Sequence, residues 1–239
     1  MSNLADIHWN RDVLNIISQS EDLIPDLPAI LMIRHSAREE PKDLLNAINA
    51  PLTELGKKLA IEFGDKLNIS KQYRIFHSPK PRCKNTALKI QEGLDNNQVK
   101  TEFKGELDSL IRINSDRNIF AKYWNRDGEH RFVDYWFSGF YPKWEIEPAI
   151  VVAQRTAKDI MHNFQEIESN KVDLYISHDY SILIYLRYWC GILATKEWIN
   201  YLGGFWLQFQ KDHIFLLFGG KKFHIPYPAW WIWRPTQLN

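Results

Sequence analysis

Short apolar runs alternate along the chain with longer stretches in which apolar residues recur every three or four positions. Runs at 29–34, 73–77, 99–103, 172–177, 205–210 and 213–218 are rich in branched and aromatic residues and predict β-strands. Between them, 53–67 carries Leu55, Leu59, Phe63 and Leu67 on one helical face, with Thr53 as its cap. Segments 85–93, 147–167 and 180–190 predict three more helices, the last strongly apolar. Strands alternating with helices argue for α/β architecture: a three-layer α/β/α sandwich whose mostly parallel sheet is covered on both faces. The link Lys211–Asp212 is short enough to join the strands at 205–210 and 213–218 as an antiparallel hairpin, and Gly219–Gly220 supports a second turn.

The alternation breaks between Leu107 and Pro148, where polar and aromatic residues mix without a clear period. The reading is one domain over 1–239 with an insertion at about 107–148 that lies over one end of the sheet as a lid. Four arginines, Arg112, Arg117, Arg126 and Arg131, stand among its aromatics; they make either a solvated face or a grip on part of a substrate.

The 239 residues are 45% hydrophobic and 25% charged, an ordinary globular balance, with a formal net charge of +1. That balance gives no global field for nucleic acid or an anionic membrane, so anion binding has to come from a local cluster. Cys83 and Cys190 are too few for a disulfide framework and read as reduced thiols. No stretch approaches the roughly 18 uninterrupted apolar residues of a membrane span, and the first residues lack a signal-peptide core, so the expectation is cytoplasmic. Ten tryptophans are unusual; three of them, Trp230, Trp231 and Trp233, crowd the tail. Packing accounts for most, with a ligand-pocket wall as the alternative.

In doubly wound sheets, ligands bind beyond the carboxyl ends of the strands. There the sequence gathers chemistry. Arg34 and His35 follow the first strand, with Arg38 close behind; Arg82 follows the second, in SPKPRCKNTA; His178 and Asp179 follow the fourth, in YISHDYS. Guanidiniums match phosphate oxygens in bidentate fashion. An imidazole kept neutral by surrounding cations can attack phosphorus, and a neighbouring acid can protonate the leaving alcohol. Cys83 lacks the glycine loop a thiol nucleophile would use, His77 reads as structural, and the scattered histidines show no metal-ligand spacing.

The set RHSAR, PLTELGKKLA, SPKPRCKNTA and SHD resembles the histidine phosphatase superfamily, which includes phosphoglycerate mutases and histidine acid phosphatases. The resemblance implies a phosphoglycerate mutase-like fold and a phosphomonoester hydrolase acting through phosphohistidine at His35. Arg34, Arg38, Arg82 and His178 would hold the phosphate. Neither a metal nor an organic cofactor is implied, and the partner is a small-molecule phosphate ester. Ser36 departs from the family, which has glycine after the nucleophile. The acid in the acid phosphatase form is the Asp of an H-D pair, here Asp179, which is preferred; in the mutase form it is a glutamate beyond the third strand, here Glu106. A phosphomutase using Glu106 and an inactive phospho-ligand binder are the alternatives.

Overall fold

The computed structural model describes residues 3–40, 49–67, 70–165, 167–193 and 198–232; Trp233 lies outside them. Seven strands, β1 (Ala29–Arg34), β2 (Gln72–His77), β3 (Thr101–Glu106), β4 (Lys171–Ser177), β5 (Gly204–Phe209), β6 (His213–Phe218) and β7 (Lys221–Pro226), form one sheet in the order β3-β2-β4-β1-β5-β6-β7. The pairs β3/β2, β2/β4 and β4/β1 are parallel; β1/β5, β5/β6 and β6/β7 are antiparallel. The sheet is therefore mixed, with its parallel strands on the side that carries the chemistry. Lys211–Asp212 lies in the β5–β6 hairpin link. The Gly219–Gly220 turn leads into β7, a seventh strand that the apolar runs did not announce.

Around the sheet, in chain order, run α1 (Arg11–Gln19), α2 (Glu54–Lys66), α3 (Pro81–Asn96), α4 (Arg117–Asp127), α5 (Glu129–Phe137), α6 (Ala149–Phe164) and α7 (Asp179–Cys190). Successive strand residues point to opposite faces. Leu31 and Ile33 accordingly pack with α1, α2 and α3, while Ile30 and Met32 pack with α5, α6 and α7. That alternation builds the three layers. Thr53 caps α2 by accepting from the Gly56 N–H at 2.9 Å. Helices α2 and α3 cross where Gly64 meets Gly93: a Cβ on Gly93 would stand 2.1 Å from the Ile61 carbonyl oxygen, so the close approach requires glycine.

The insertion at 107–148 is more ordered than its sequence suggests, containing α4 and α5. Its aromatics pack inward: Phe132 is buried against Phe120 (ring centroids 4.8 Å) and Tyr141 (5.3 Å). Most tryptophans serve the core as well. The buried Trp136, Trp189 and Trp206 donate their indole N–H groups to the carbonyls of Glu147, Ala153 and Ile16. Trp144 is the exception, exposed on the α5–α6 connection.

Candidate active site

The site is assembled where β1 and β4 end. Arg34 N donates to Gly203 O at 2.8 Å and His35 N to Ser177 O at 3.0 Å, so the backbone of both residues still belongs to the sheet. Two buried imidazoles face each other there, His35 and His178, with ring centroids 5.4 Å apart. Arg82, the second residue of α3 behind Pro81 at its first turn, reaches both. Its Nε donates to His35 Nε2 at 2.9 Å and its Nη2 to His178 Nδ1 at 3.1 Å.

An arginine can only donate, which fixes the tautomers. His35 carries its proton on Nδ1 and gives it to the Ser36 carbonyl at 2.8 Å; His178 carries its proton on Nε2 and gives it to Ser78 Oγ at 2.8 Å. The His35 Nε2 lone pair therefore points toward the guanidiniums. Burial, then His178, Arg34 and Arg82, hold the His35 pKa well below the ordinary imidazole value. Burial, then Arg82, Arg34, Lys80 and Arg38, do the same to His178. Both rings stay neutral across the physiological range.

Arg34 is held on three sides. Nη1 donates to Ile199 O at 2.7 Å, Nη2 pairs with Asp179 at 2.8 Å, and the guanidinium lies over the Tyr201 ring at 4.3 Å. Arg38 sits just beyond, in a bridge to Leu52. Its buried Nε and Nη1, like Arg34 Nε, have no hydrogen-bond partner among the described residues. Burial and then Arg82 lower the Arg38 pKa. Three guanidiniums, those of Arg34 and Arg38 with buried unpartnered donors, beside one carboxylate make a cluster short of negative charge, a match for an oxyanion such as phosphate.

Asp179 opens α7 as its first residue; His178, not Asp179, occupies the N-cap position. The aspartate accepts from Tyr180 N at 2.9 Å and from Trp198 Nε1 at 2.9 Å. Burial would raise its pKa, but Arg34, the Trp198 indole, the Tyr180 N–H and Arg38 outweigh it and hold the carboxyl below its usual range. Glu106 is exposed at the end of edge strand β3 and is not among the charges acting most on His35 or His178.

Ser36 has a local reason for standing where the family has glycine. Its N–H donates to Thr86 Oγ1 at 3.0 Å and its hydroxyl to Gly56 O at 2.7 Å, tying the loop after β1 to α3 and α2. A Cβ on Gly56 would stand 2.0 Å from the Ala37 carbonyl oxygen, so glycine is required on the facing side. The Cys83 thiol is buried and pushed up to about 12 by burial, which leaves it unreactive. His77 is buried, and its Nδ1–H donates to its neighbour's carbonyl, Ser78 O, at 2.8 Å.

The sequence-predicted residues Arg34, His35, Arg38, Arg82, His178 and Asp179 thus converge on one rim. Sequence reasoning missed the segment 198–203, which supplies Trp198 to Asp179, the Ile199 and Gly203 carbonyls to Arg34, and Tyr201 beneath the guanidinium. Its only signals were an aromatic pair and a double glycine. Among the described residues, no three His, Cys, Asp or Glu side chains converge as metal ligands, and no helix is long and apolar enough to cross a membrane.

A family model described as histidine phosphatase superfamily (branch 1) matches residues 30–202. The chain belongs to the histidine phosphatase superfamily. Comparison with curated proteins returns no match. Among solved structures the histidine phosphatase fold recurs in Bacillus stearothermophilus YhfR, at 14% identity and a TM-score of 0.57 over 81% of this chain and 97% of that one. A mycobacterial glucosyl-3-phosphoglycerate phosphatase is 13% identical, with a TM-score of 0.55 over 84% of this chain and 99% of that one. An Entamoeba histolytica phosphoserine phosphatase mutant with phosphoserine is 14% identical, with a TM-score of 0.51 over 86% and 98%. At these identities the likeness is one of fold. The family match is to branch 1 although His178–Asp179 resembles the acid phosphatase pair, so the identity of the acid rests on this chain's own geometry.

Proposed function

We propose that this histidine phosphatase is a phosphomonoester hydrolase acting on small-molecule phosphate esters through phosphohistidine at His35. The observation that carries the reading is the His35 tautomer: Nδ1 donates to the Ser36 carbonyl, which leaves Nε2 as the unprotonated nitrogen, its lone pair accepting from Arg82 until a phosphoryl group takes up the guanidinium. In this reading Arg34, Arg38 and Arg82 hold the phosphoryl oxygens; His178, tied to Ser78 and Arg82 without substrate, joins them by turning its Nε2–H from Ser78 to the phosphate. The His35 Nε2–P bond forms as the P–O bond to the leaving group breaks.

Asp179 is the proposed proton donor. Without substrate it is an ionised partner of Arg34, which is the wrong state for an acid. A phosphate dianion seated on Arg34, Arg38 and Arg82 replaces a field that favours the carboxylate with one that opposes it, so Asp179 takes up a proton in the complex. It gives that proton to the leaving oxygen, then, as carboxylate, accepts one from the water that attacks the phosphohistidine, restoring His35. Each proton transfer of this kind is typically worth about 10²–10⁴-fold in rate. The chemistry requires no metal. The two free, buried thiols, Cys83 and Cys190, support a cytoplasmic, single-domain enzyme with 107–148 as its lid.

The test is orthophosphate release from an aryl phosphate, which separates hydrolysis from return of phosphate to the substrate. Native protein should turn over and yield acid-labile, base-stable phosphate on the chain; His35→Ala should abolish both. A native protein that releases no orthophosphate from any ester removes the reading.

A further inference from the structure

A second pair of histidines meets at the far edge of the sheet. In the β6/β7 register His213 stands opposite Pro226, and Phe215 opposite His224. His213 and His224 are therefore diagonal neighbours on one face, a spacing that aromatic side chains can span. His213 Nε2 and His224 Nδ1 lie 2.9 Å apart, and on the other side of the ring His213 Nδ1 meets Asp212 at 2.6 Å. A carboxylate can only accept, so Asp212 holds the proton of neutral His213 on Nδ1 and leaves Nε2 bare, turned toward His224. The rings are braced. The His213 side chain is only 23% exposed, and Phe215 packs against the His224 ring with centroids 5.2 Å apart. Behind them the Gln210 N–H donates to His213 O at 2.9 Å, while the Gln210 carbonyl accepts from the Tyr227 hydroxyl at 2.7 Å. Strand β5 is antiparallel to both β1 and β6, so β6 runs in the direction of β1. His213 opens β6 whereas His35 follows β1, which sets this pair at the end of the sheet away from the cationic rim.

We propose that His213 and His224, braced by Asp212, chelate a late divalent transition-metal ion of the Ni²⁺ or Cu²⁺ kind that ties β7 to β6. Imidazole nitrogens suit such ions. Two nitrogens 2.9 Å apart, each about 2.0–2.1 Å from a metal, subtend an angle of about 90° at it. That is the angle between neighbouring positions of square-planar or octahedral coordination; a tetrahedral ion would need the nitrogens about 3.3 Å apart. Seating the ion takes a small turn of the rings and a shift of the His224 proton from Nδ1 to Nε2, which faces solvent. No proton is lost from the neutral pair. Asp212 does not touch the ion. It accepts from the other nitrogen of a ligating ring, which fixes the orientation of His213 and raises its basicity. Water completes the coordination, since His224 is exposed. The benefit falls on β7, the last strand of the sheet, which has a neighbour on one side only.

The experiment titrates the untagged full chain with Ni²⁺ by calorimetry near neutral pH and follows its melting temperature with and without the ion. Native protein is compared with His213→Gln, His224→Gln and Asp212→Asn. His224 and Asp212 are exposed, so their variants should melt like the native protein in metal-free buffer. Native protein should take up one Ni²⁺ per chain, and a hundredfold excess over Kd should raise its melting temperature by about 5 °C or more. Either glutamine variant should lose both the uptake and the shift. Asp212→Asn should keep the stoichiometry and bind about tenfold more weakly, the low end for an outer partner because this one is exposed. Mg²⁺, which takes oxygen ligands, should do nothing. No uptake by the native protein overturns the proposal. Equal affinity in His224→Gln also overturns it, since the ion then sits elsewhere, the buried His35 and His178 included. So do an unchanged affinity in Asp212→Asn and a shift that Mg²⁺ reproduces. None of these outcomes bears on whether the rim hydrolyses an ester, so the two readings stand or fall separately.

Discussion

At the scale of single residues, the defining feature is two imidazoles kept neutral inside a cationic cluster. That condition has a cost in stability with a definite sign. In the unfolded chain each ring takes a proton near pH 6.5. In the folded chain His35 and His178 resist protonation until well below that. Below about pH 6.5 the unfolded state therefore binds protons that the folded state does not, and stability falls as pH falls, by up to about 1.4 kcal/mol per pH unit for each histidine. The carboxyl of Asp179 works in a different window: its depressed pKa contributes stability that is lost only as pH drops through the ordinary carboxylate range. Urea unfolding at about pH 7.5 and about pH 5.5 separates these terms, because only the first lies between them. We expect His178→Gln to lose about 1 kcal/mol less than the native protein over that interval, since glutamine has no proton to gain. Equal losses in the two proteins would show that His178 is protonated in the fold.

At the scale of elements, the parallel strands are pinned by one buried ion pair. Arg74 on β2 and Asp173 on β4 are Cα partners in the register, and their side chains meet in two contacts of 2.6 and 2.7 Å. Arg74 also donates to Asn163 O at the end of α6, and Tyr175 donates to the same carboxylate at 3.1 Å. The pair thus locks strand to strand and sheet to helix. With Asp173 fully buried, removing its partner leaves an uncompensated charge, and Arg74→Met should cost about 3–5 kcal/mol. Replacing both members by apolar residues should cost much less, and a double variant as damaged as the single one would show that the charge is not the cause. Legibility in the sequence follows the same division. Strands β1 and β6 match the apolar runs at both ends, because buried strands of an α/β sheet are apolar on both faces. Strand β3 does not: Thr101–Glu106 alternates half-buried and exposed residues at the sheet edge, so the apolar run at 99–103 placed it two residues early. The other edge, β7, alternates in the same way and read as a turn. Helix α3 starts at Pro81, four residues before the periodic segment, because its first turn is occupied by Arg82 and its charged surroundings rather than by core. The insertion hid α4 and α5 because their aromatics pack within the insertion as well as toward the sheet. At the site, residues adjacent to strand ends were legible from strand position. Trp198 and Tyr201 were not, since only the tertiary path of the chain returns them to the rim.

At the scale of the whole molecule, the arginine–histidine cluster is where the layers meet. Arg34 and His35 come from the sheet, Arg82 from the layer of α1, α2 and α3, and His178 with Asp179 from the layer of α6 and α7. An anion bound there bridges all three, so its binding is lost on global unfolding and should raise the melting temperature by mass action. Orthophosphate at a hundredfold excess over its Kd should add about 2.7 kcal/mol, or about 5–11 °C for a chain of this size. Arg38 sharpens the expectation, because function and stability pull against each other at this position. Its guanidinium is partly buried beside two like charges, with Nε and Nη1 unsatisfied, a cost to the fold that only an anion offsets. Arg38→Met keeps the stem and removes that cost. Without phosphate, the variant should melt a few degrees higher than the native protein, by about 1–2 kcal/mol. With phosphate, it should gain much less. A variant that melts lower in buffer and keeps the full phosphate shift would mean that Arg38 is a structural residue and that the anion sits on Arg34 and Arg82 without it.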